Sequence, residues 1–226
     1  MSYQGTDILE LLSGAVNYNN ALADLCLENL LPNCNKIIDF GAGIGTLAEI
    51  FRHKGYETEC IEKDDNLNNI LNNKGFKVFK ELNSYKENEI QNLVSFNVFE
   101  HIENDEEAFK EVFSKLSKNG KFFLFLPANK FLYSSFDKRL GHFRRYNKSE
   151  LKTILKNIGF TIEKTYYFDS IGFVLAYLYK ITNKKGTVSE FHIKFYDKYL
   201  FKLSRFLDRI FCKIFGKNIV LVLSKK

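Results

Sequence analysis

The 226-residue sequence contains no tryptophan, only two prolines (Pro32, Pro127) and only four cysteines. With so few prolines, no low-complexity stretch and no internal repeat, no linker separates the chain into parts. Its length fits a single domain, 1–226, large enough to bury a substantial core. Cys26, Cys34, Cys60 and Cys212 form no C-x-x-C pair and lie far from any ligand-spaced histidine. They read as reduced structural thiols of a cytoplasmic protein. No cluster of His, Cys and Asp has metal-ligand spacing, so no metal is expected. A G-x-S-x-G nucleophile elbow is also missing. The chain opens without a basic region followed by an apolar run, so no signal peptide is expected. Its most apolar stretch, 171–181, is too short to span a bilayer.

Clustered basic residues with interleaved aromatics are missing as well. The net charge is +6, but it is carried largely by scattered lysines; a nucleic-acid partner is therefore not expected. What the chain has in excess is Phe (23) and Tyr (12). Two readings compete: a Phe-rich core, or a greasy substrate channel or membrane-facing surface.

Apolar residues at helical spacing over 7–31 predict two N-terminal helices, broken near Gly14. From residue 36 onward, short apolar runs alternate with helical patterns. Strands are predicted at 36–40, 58–62, 77–82, 93–99, 121–126, 160–168 and 218–223. Helices are expected at 46–54, 67–73 and 151–158, with another opening at Asn104 and closing around Lys115 and Lys118. Asn104 reads as the cap of that helix, with Asp105, Glu106 and Glu107 in its first turn. Asn147 with Glu150 resembles a capping box. Such alternation predicts an α/β, Rossmann-like sheet of seven mainly parallel strands with helices on both faces. On this reading 1–35 is N-terminal helices, 36–169 the core, 170–217 a helical insertion or lid, and 218–224 the final strand. Within the insertion, apolar residues at 195/196, 199/200, 203, 206/207, 210/211 and 214 mark one helix face. Lys194, Lys198, Lys202, Arg205, Arg209 and Lys213 occupy much of the other. The plainer expectation packs the apolar stripe onto the domain; the alternative lays helix 194–215 on an anionic membrane surface.

Asp39-Phe40-Gly41-Ala42-Gly43-Ile44-Gly45 follows the first predicted strand and opens a helix. Glycines there let the backbone turn sharply and approach a ligand. An acid about 20 positions further on, at the end of the second strand, is placed to grip a ribose diol, and Glu62 fits. Together they point to an adenosine-containing ligand without saying which.

The sequence 37–45 resembles the D/E-x-G-x-G-x-G motif of class I S-adenosylmethionine-dependent methyltransferases. Asn97-Val98-Phe99-Glu100-His101-Ile102 is similar to the N-V-L-E-H-I segment of the ubiquinone-methylase-like branch (type 11 and type 23 methyltransferase domains). Tyr18-Asn19, Pro127-Ala128, Asp137 and Gly141-His142-Phe143-Arg144-Arg145-Tyr146 resemble further segments of that branch. The Asp that commonly opens its fourth strand is replaced by Gln91-Asn92-Leu93. The resemblance implies S-adenosylmethionine as cofactor. It places Gly41, Ala42, Gly43 and Gly45 along the methionine and ribose, with Asp39 near the amino group and Glu62 on the ribose hydroxyls. Leu82 and Asn83 would border adenine, Asn97 would approach the methionine through its backbone, and Tyr18 would close the site from above.

For a hydroxyl acceptor, a base to take the proton would help. His101 and His142 are the candidates, since His53 and His192 fall in helices away from the strand ends; His101 could equally serve to hold its loop. Arg144, Arg145 and Tyr146 form a set suited to an anionic acceptor, unless the arginines are spent on salt bridges that shape the loop. The implied activity is methyl transfer to a small or lipid-linked acceptor, of an anionic glycan, lipid-carrier or quinone type. A nicotinamide-dependent oxidoreductase and a non-catalytic scaffold are the rivals. Nothing in the sequence fixes an oligomeric state.

Overall fold

The computed structural model describes residues 6–182, 187 and 189–226. Parts of two predicted segments, 1–5 and 183–186 with 188, lie outside the described residues. The strands are β1 Lys36–Phe40, β2 Glu57–Ile61, β3 Lys77–Phe79, β4 Ile90–Phe96, β5 Leu116–Pro127, β6 Thr161–Phe168 and β7 Asn218–Ser224. They form one sheet in the order β3-β2-β1-β4-β5-β7-β6, with β7 antiparallel to both its neighbours. The order reverses beside β1, so the carboxyl ends of β1 and β4 flank the switch-point crevice where such sheets bind ligands.

The helices are α1 Thr6–Ser13, α2 Val16–Leu27, α3 Thr46–His53, α4 Asp65–Asn73, α5 Asp105–Lys115, α6 Ser135–Leu140, α7 Lys148–Ile158, α8 Ser170–Thr182, α9 Glu190–Phe195 and α10 Phe201–Phe211. Side chains alternate across β5 and β7, so these strands feed two cores at once. Phe122, Leu124, Leu126, Ile219, Leu221 and Leu223 pack with Phe99, Phe109, Leu151 and Leu155 on one face. Phe123, Phe125, Val220 and Val222 pack with Leu22, Phe51, Phe168 and Phe201 on the other. Much of the phenylalanine excess is therefore core.

Several local expectations fail for identifiable reasons. The third strand stops at Phe79, and Leu82–Ser84 is a one-turn 3-10 helix. The apolar signal at Leu82 comes from its burial in the core rather than from strand pairing. The fourth strand ends at Phe96, and Phe99–His101 forms another 3-10 turn. The fifth strand begins at Leu116, so Lys118 belongs to it and not to the preceding helix. Neither Asn104 nor Asn147 caps a helix through its side chain. Asn147 bonds the Glu150 side chain instead, at 3.1 Å. A capping box does occur, unforeseen, at Ser134 and Asp137 of α6.

The insertion is the largest correction. Only part of the stripe packs inward: Tyr196 lies against the core, whereas Phe195, Tyr199, Leu203, Phe206, Ile210 and Ile214, together with Phe191, are exposed, from 45% to 71%. The face turned inward carries Ile193, Asp197, Phe201, Ser204 and Asp208, all buried. Its acids act as caps for other helices. The Asp197 carboxylate accepts from the Asn17 and Tyr18 amides at 3.0 and 2.7 Å, at the start of α2. Asp208 accepts from Asp169 and Ser170 at 3.0 and 2.8 Å, at the start of α8. Helix N-termini leave amides without intrahelical partners and favour negative charge. Over 190–211 the inward face is thus mixed, two acids and a serine beside Ile193 and Phe201, while large apolar side chains and lysines share the outward one. No helix among the described residues is long and apolar enough to cross a membrane.

Candidate active site

Past β1 the backbone enters the left-handed region three times, at Gly41 (φ 80°), Gly43 (57°) and Gly45 (84°). A Cβ on Gly41 would stand 2.3 Å from a methyl of Val98, so the loop has room only for glycine there. The Gly41 amide donates to the Ile61 carbonyl at 2.8 Å, and Ala42 reaches the same carbonyl at 3.3 Å. Gly45 then sits at the N-terminus of α3. Glu62, just past β2, spans this turn: Oε2 accepts from the Gly43 amide at 2.9 Å and Oε1 from the Asp64 amide at 3.0 Å. Asp39 is buried beside it, and burial with the Glu62 charge pushes its acid up to about 7. Burial raises Glu62 as well. Two carboxyl groups held in a dry crevice favour a ligand with hydroxyl donors and a cationic group. The ribose diol and ammonium of S-adenosylmethionine fit that demand.

At the end of β4, Asn97 adopts φ 53° and its amide donates to the Phe125 carbonyl at 2.9 Å. Its side-chain oxygen accepts from Asn218 at 3.3 Å. Leu82 is buried, while Asn83 is exposed and bonded to Glu81 at 3.1 Å. Tyr18 is packed against Phe168 and Phe201, at ring separations of 5.5 and 4.9 Å, with Lys217 over its face. The ring is thus wedged between α2 and α10.

The 141–146 loop folds back onto the turn after β4, where the Phe143 amide donates to the Glu100 carbonyl at 2.8 Å. This brings the His101 and His142 rings edge to face, 4.6 Å apart. Burial, then the neighbouring His142, lowers His101 to about 4, so it is a neutral imidazole at pH 7. His142 Nδ1 meets Asp137 Oδ1 at 2.9 Å.

The arginines are not presented to an acceptor. Arg145 is buried, with Nε donating to Asp137 at 2.7 Å and Nη1 to the Ala128 carbonyl at 3.3 Å. Arg144 donates to Asp105 at 2.5 Å and to the Glu103 carbonyl at 2.6 Å. The Tyr146 hydroxyl takes the other Asp105 oxygen at 2.7 Å. Both guanidinium groups and the phenol are engaged in shaping the loop, the alternative that the sequence leaves open beside an anion clamp. Their acid partners, Asp105 and Asp137, read in sequence only as first-turn residues or as part of a motif.

Sequence spacing also missed a convergence. Glu100, His101 and His142 each place one ligand atom within 4.8 Å of the others. The two histidines stand 41 positions apart, which hides this in the sequence.

A glycine turn after β1, an acid after β2 and this strand order together define a Rossmann-like methyltransferase fold. The sequence profile of the methyltransferase domain family matches residues 15–165, most of the chain. The chain belongs to that family and is an S-adenosylmethionine-dependent methyltransferase. Several solved structures share the fold. A SAM-dependent methyltransferase from Archaeoglobus fulgidus is 18% identical, with 91% of this chain and 92% of that one covered and a TM-score of 0.61. A Thermotoga maritima SAM-dependent methyltransferase, described as a possible histamine N-methyltransferase, is 16% identical over 100% of both chains, with a TM-score of 0.63. Phosphoethanolamine N-methyltransferase 2 of Haemonchus contortus, solved with S-adenosylmethionine, is 18% identical, covering 93% and 52%, with a TM-score of 0.60. No curated protein matches the sequence.

Proposed function

We propose that the protein methylates an oxygen of a lipid-linked or small acceptor, of an anionic glycan, lipid-carrier or quinone type, while resting on an anionic membrane surface. The observation that carries this reading is the outward face of the insertion. Seven large apolar side chains of α9, α10 and their flanks, from Phe191 to Ile214, are exposed alongside Lys198, Lys202, Arg209 and Lys213. On the adjacent α8, Val174, Leu175, Tyr177, Leu178 and Ile181 are exposed too. Exposed apolar side chains repeated along neighbouring helices and flanked by basic residues suit the interface of a bilayer rather than water. The insertion follows β6 directly, so a surface-bound acceptor would be delivered beside the crevice.

Bound S-adenosylmethionine supplies an electrophilic methyl group on a sulfonium, so the donor is already activated. The chain's own task is to align the acceptor and exclude water. In this reading Gly41, Ala42, Gly43 and Gly45 line the methionine and ribose, Asp39 faces the ammonium, and Glu62 takes the ribose hydroxyls. Leu82 and Asn83 border adenine, Asn97 meets the methionine through its backbone, and Tyr18 fixes the cap over them. His101 and His142 stand on the acceptor side, where a proton must be removed from the attacking oxygen.

Co-flotation with vesicles tests the reading. The protein should float with phosphatidylglycerol-containing vesicles at low salt, less so at high salt, and not with pure phosphatidylcholine. Labelled S-adenosylmethionine should transfer its methyl group into the lipid-extractable fraction. Failure to bind anionic vesicles, with label confined to water-soluble acceptors, would overturn it.

A further inference from the structure

Glu100 is 0% exposed, and neither of its carboxylate oxygens has a hydrogen-bond partner. A carboxyl group buried in that state keeps its proton unless a cation stands beside it. The nearest basic atom, His142 Nε2, is 3.9 Å from Glu100 Oε1, beyond hydrogen-bond length. That gap suits a bridging ion. Donors about 2.1 Å from a tetrahedral ion stand about 3.4 Å from each other, and opposite donors of an octahedral one about 4.2 Å.

The surroundings are arranged as they are around metal-ligating histidines. His142 Nδ1 lies 2.9 Å from Asp137 Oδ1. Asp137 is fixed in turn by Arg145 Nε at 2.7 Å and the Ser134 amide at 2.9 Å. A carboxylate on Nδ1 places the proton there and leaves Nε2 as the ligating atom. His101 is hydrogen-bonded to the backbone of Gly141, which orients the second imidazole in the same manner.

We infer that Glu100, His101 and His142 form a binding site for a divalent transition-metal ion of the zinc class, with Asp137 and Arg145 as its positioning residues. Two imidazoles and one carboxylate are a borderline donor set, which favours zinc or cobalt over magnesium or calcium. Three protein ligands leave a coordination position for an oxygen of water or acceptor. Metal ligation occupies both imidazoles, so this site replaces their role as proton acceptors in the reading above and does not depend on which acceptor is methylated.

The test uses the full-length protein, stripped with a chelator and titrated with cobalt(II), then with zinc as competitor. One cobalt per chain should bind with micromolar or better affinity, show visible d–d absorption, and be displaced by zinc. Glu100→Gln and His142→Ala should each weaken binding by at least about 100-fold, whereas His53→Ala, on an exposed helix, should not. Thermal melting supplies a second readout. Zinc should raise the midpoint of the wild type but not of Glu100→Gln. Metal-free Glu100→Gln should melt no lower than metal-free wild type at pH 7, because the neutral amide replaces a carboxyl group that burial keeps protonated. Folded wild type that binds no cobalt, or binding that both substitutions leave intact, would overturn the site. S-adenosylhomocysteine binding by the same sample separates that failure from failure of the methyltransferase reading.

Discussion

The two halves of the crevice are built by different means. On the cofactor side, around β1 and β2, backbone amides do the holding: Gly43 and Asp64 fix Glu62, and Ile61 fixes the glycine turn. On the side proposed for the acceptor, around the ends of β4 and β5, side-chain ion pairs and hydrogen bonds do it. Asp105 joins Arg144 to Tyr146, and Asp137 joins Arg145 to His142. Backbone scaffolding is local and keeps a fixed shape for one ligand. Side-chain scaffolding instead links segments that are far apart in sequence.

The contrast can be broken most severely at Arg145. Arg145→Met leaves the buried Asp137 charge unpaired and should cost about 3–5 kcal/mol, about 10 °C or more in Tm, read by calorimetric melting. On the cofactor side the comparable injury is a single methyl group. Gly41→Ala imposes a left-handed backbone on alanine and a clash with Val98, together about 2–4 kcal/mol. Combining it with Val98→Ala should recover the steric part and leave the backbone part, a separation that a double-mutant cycle measures.

Protonation offers a gentler probe. Asp39 stands near 7 in the folded protein, above its unfolded value of about 3.9. The folded form therefore holds the extra proton between those values. Its stabilising contribution is complete below about pH 4 and is lost as pH rises through 7. Glu100, raised by burial to about 8, adds the same sign up to that pH. The ligand's ammonium group favours ionised Asp39, so S-adenosylhomocysteine should bind more tightly from pH 6 to 8 and release a proton. Titration calorimetry in buffers of different ionisation enthalpy measures that release, and Asp39→Asn should abolish it. The smallest effect on folding is expected at the cap. Phe206→Asp should change stability by no more than about 0.5 kcal/mol, since Phe206 is 58% exposed, yet it should reduce flotation with anionic vesicles.

The same contrast explains what could be read from the sequence. Strand–helix alternation, the glycine turn and Glu62 are local patterns, and the sheet with its helical insertion follows from them. The positions of Leu82 and Phe99 were misjudged because burial in a turn leaves the same apolar mark as burial in a strand. The partners of Arg144 and Arg145 lie 39 and 8 positions away, with no periodicity to reveal them. For the insertion the sequence leaves two orientations of the apolar stripe open, because periodicity marks a face without saying what it meets. The capping demands of α2 and α8 draw Asp197 and Asp208 inward, and those demands belong to helices far away in sequence.

Titration calorimetry of the purified protein with S-adenosylhomocysteine, the by-product of methyl transfer, tests the central claim most directly. Micromolar or tighter binding to the wild type, lost in Glu62→Ala, is the predicted result. A well-folded wild type that binds none, or a Glu62→Ala variant that binds equally well, would contradict the account.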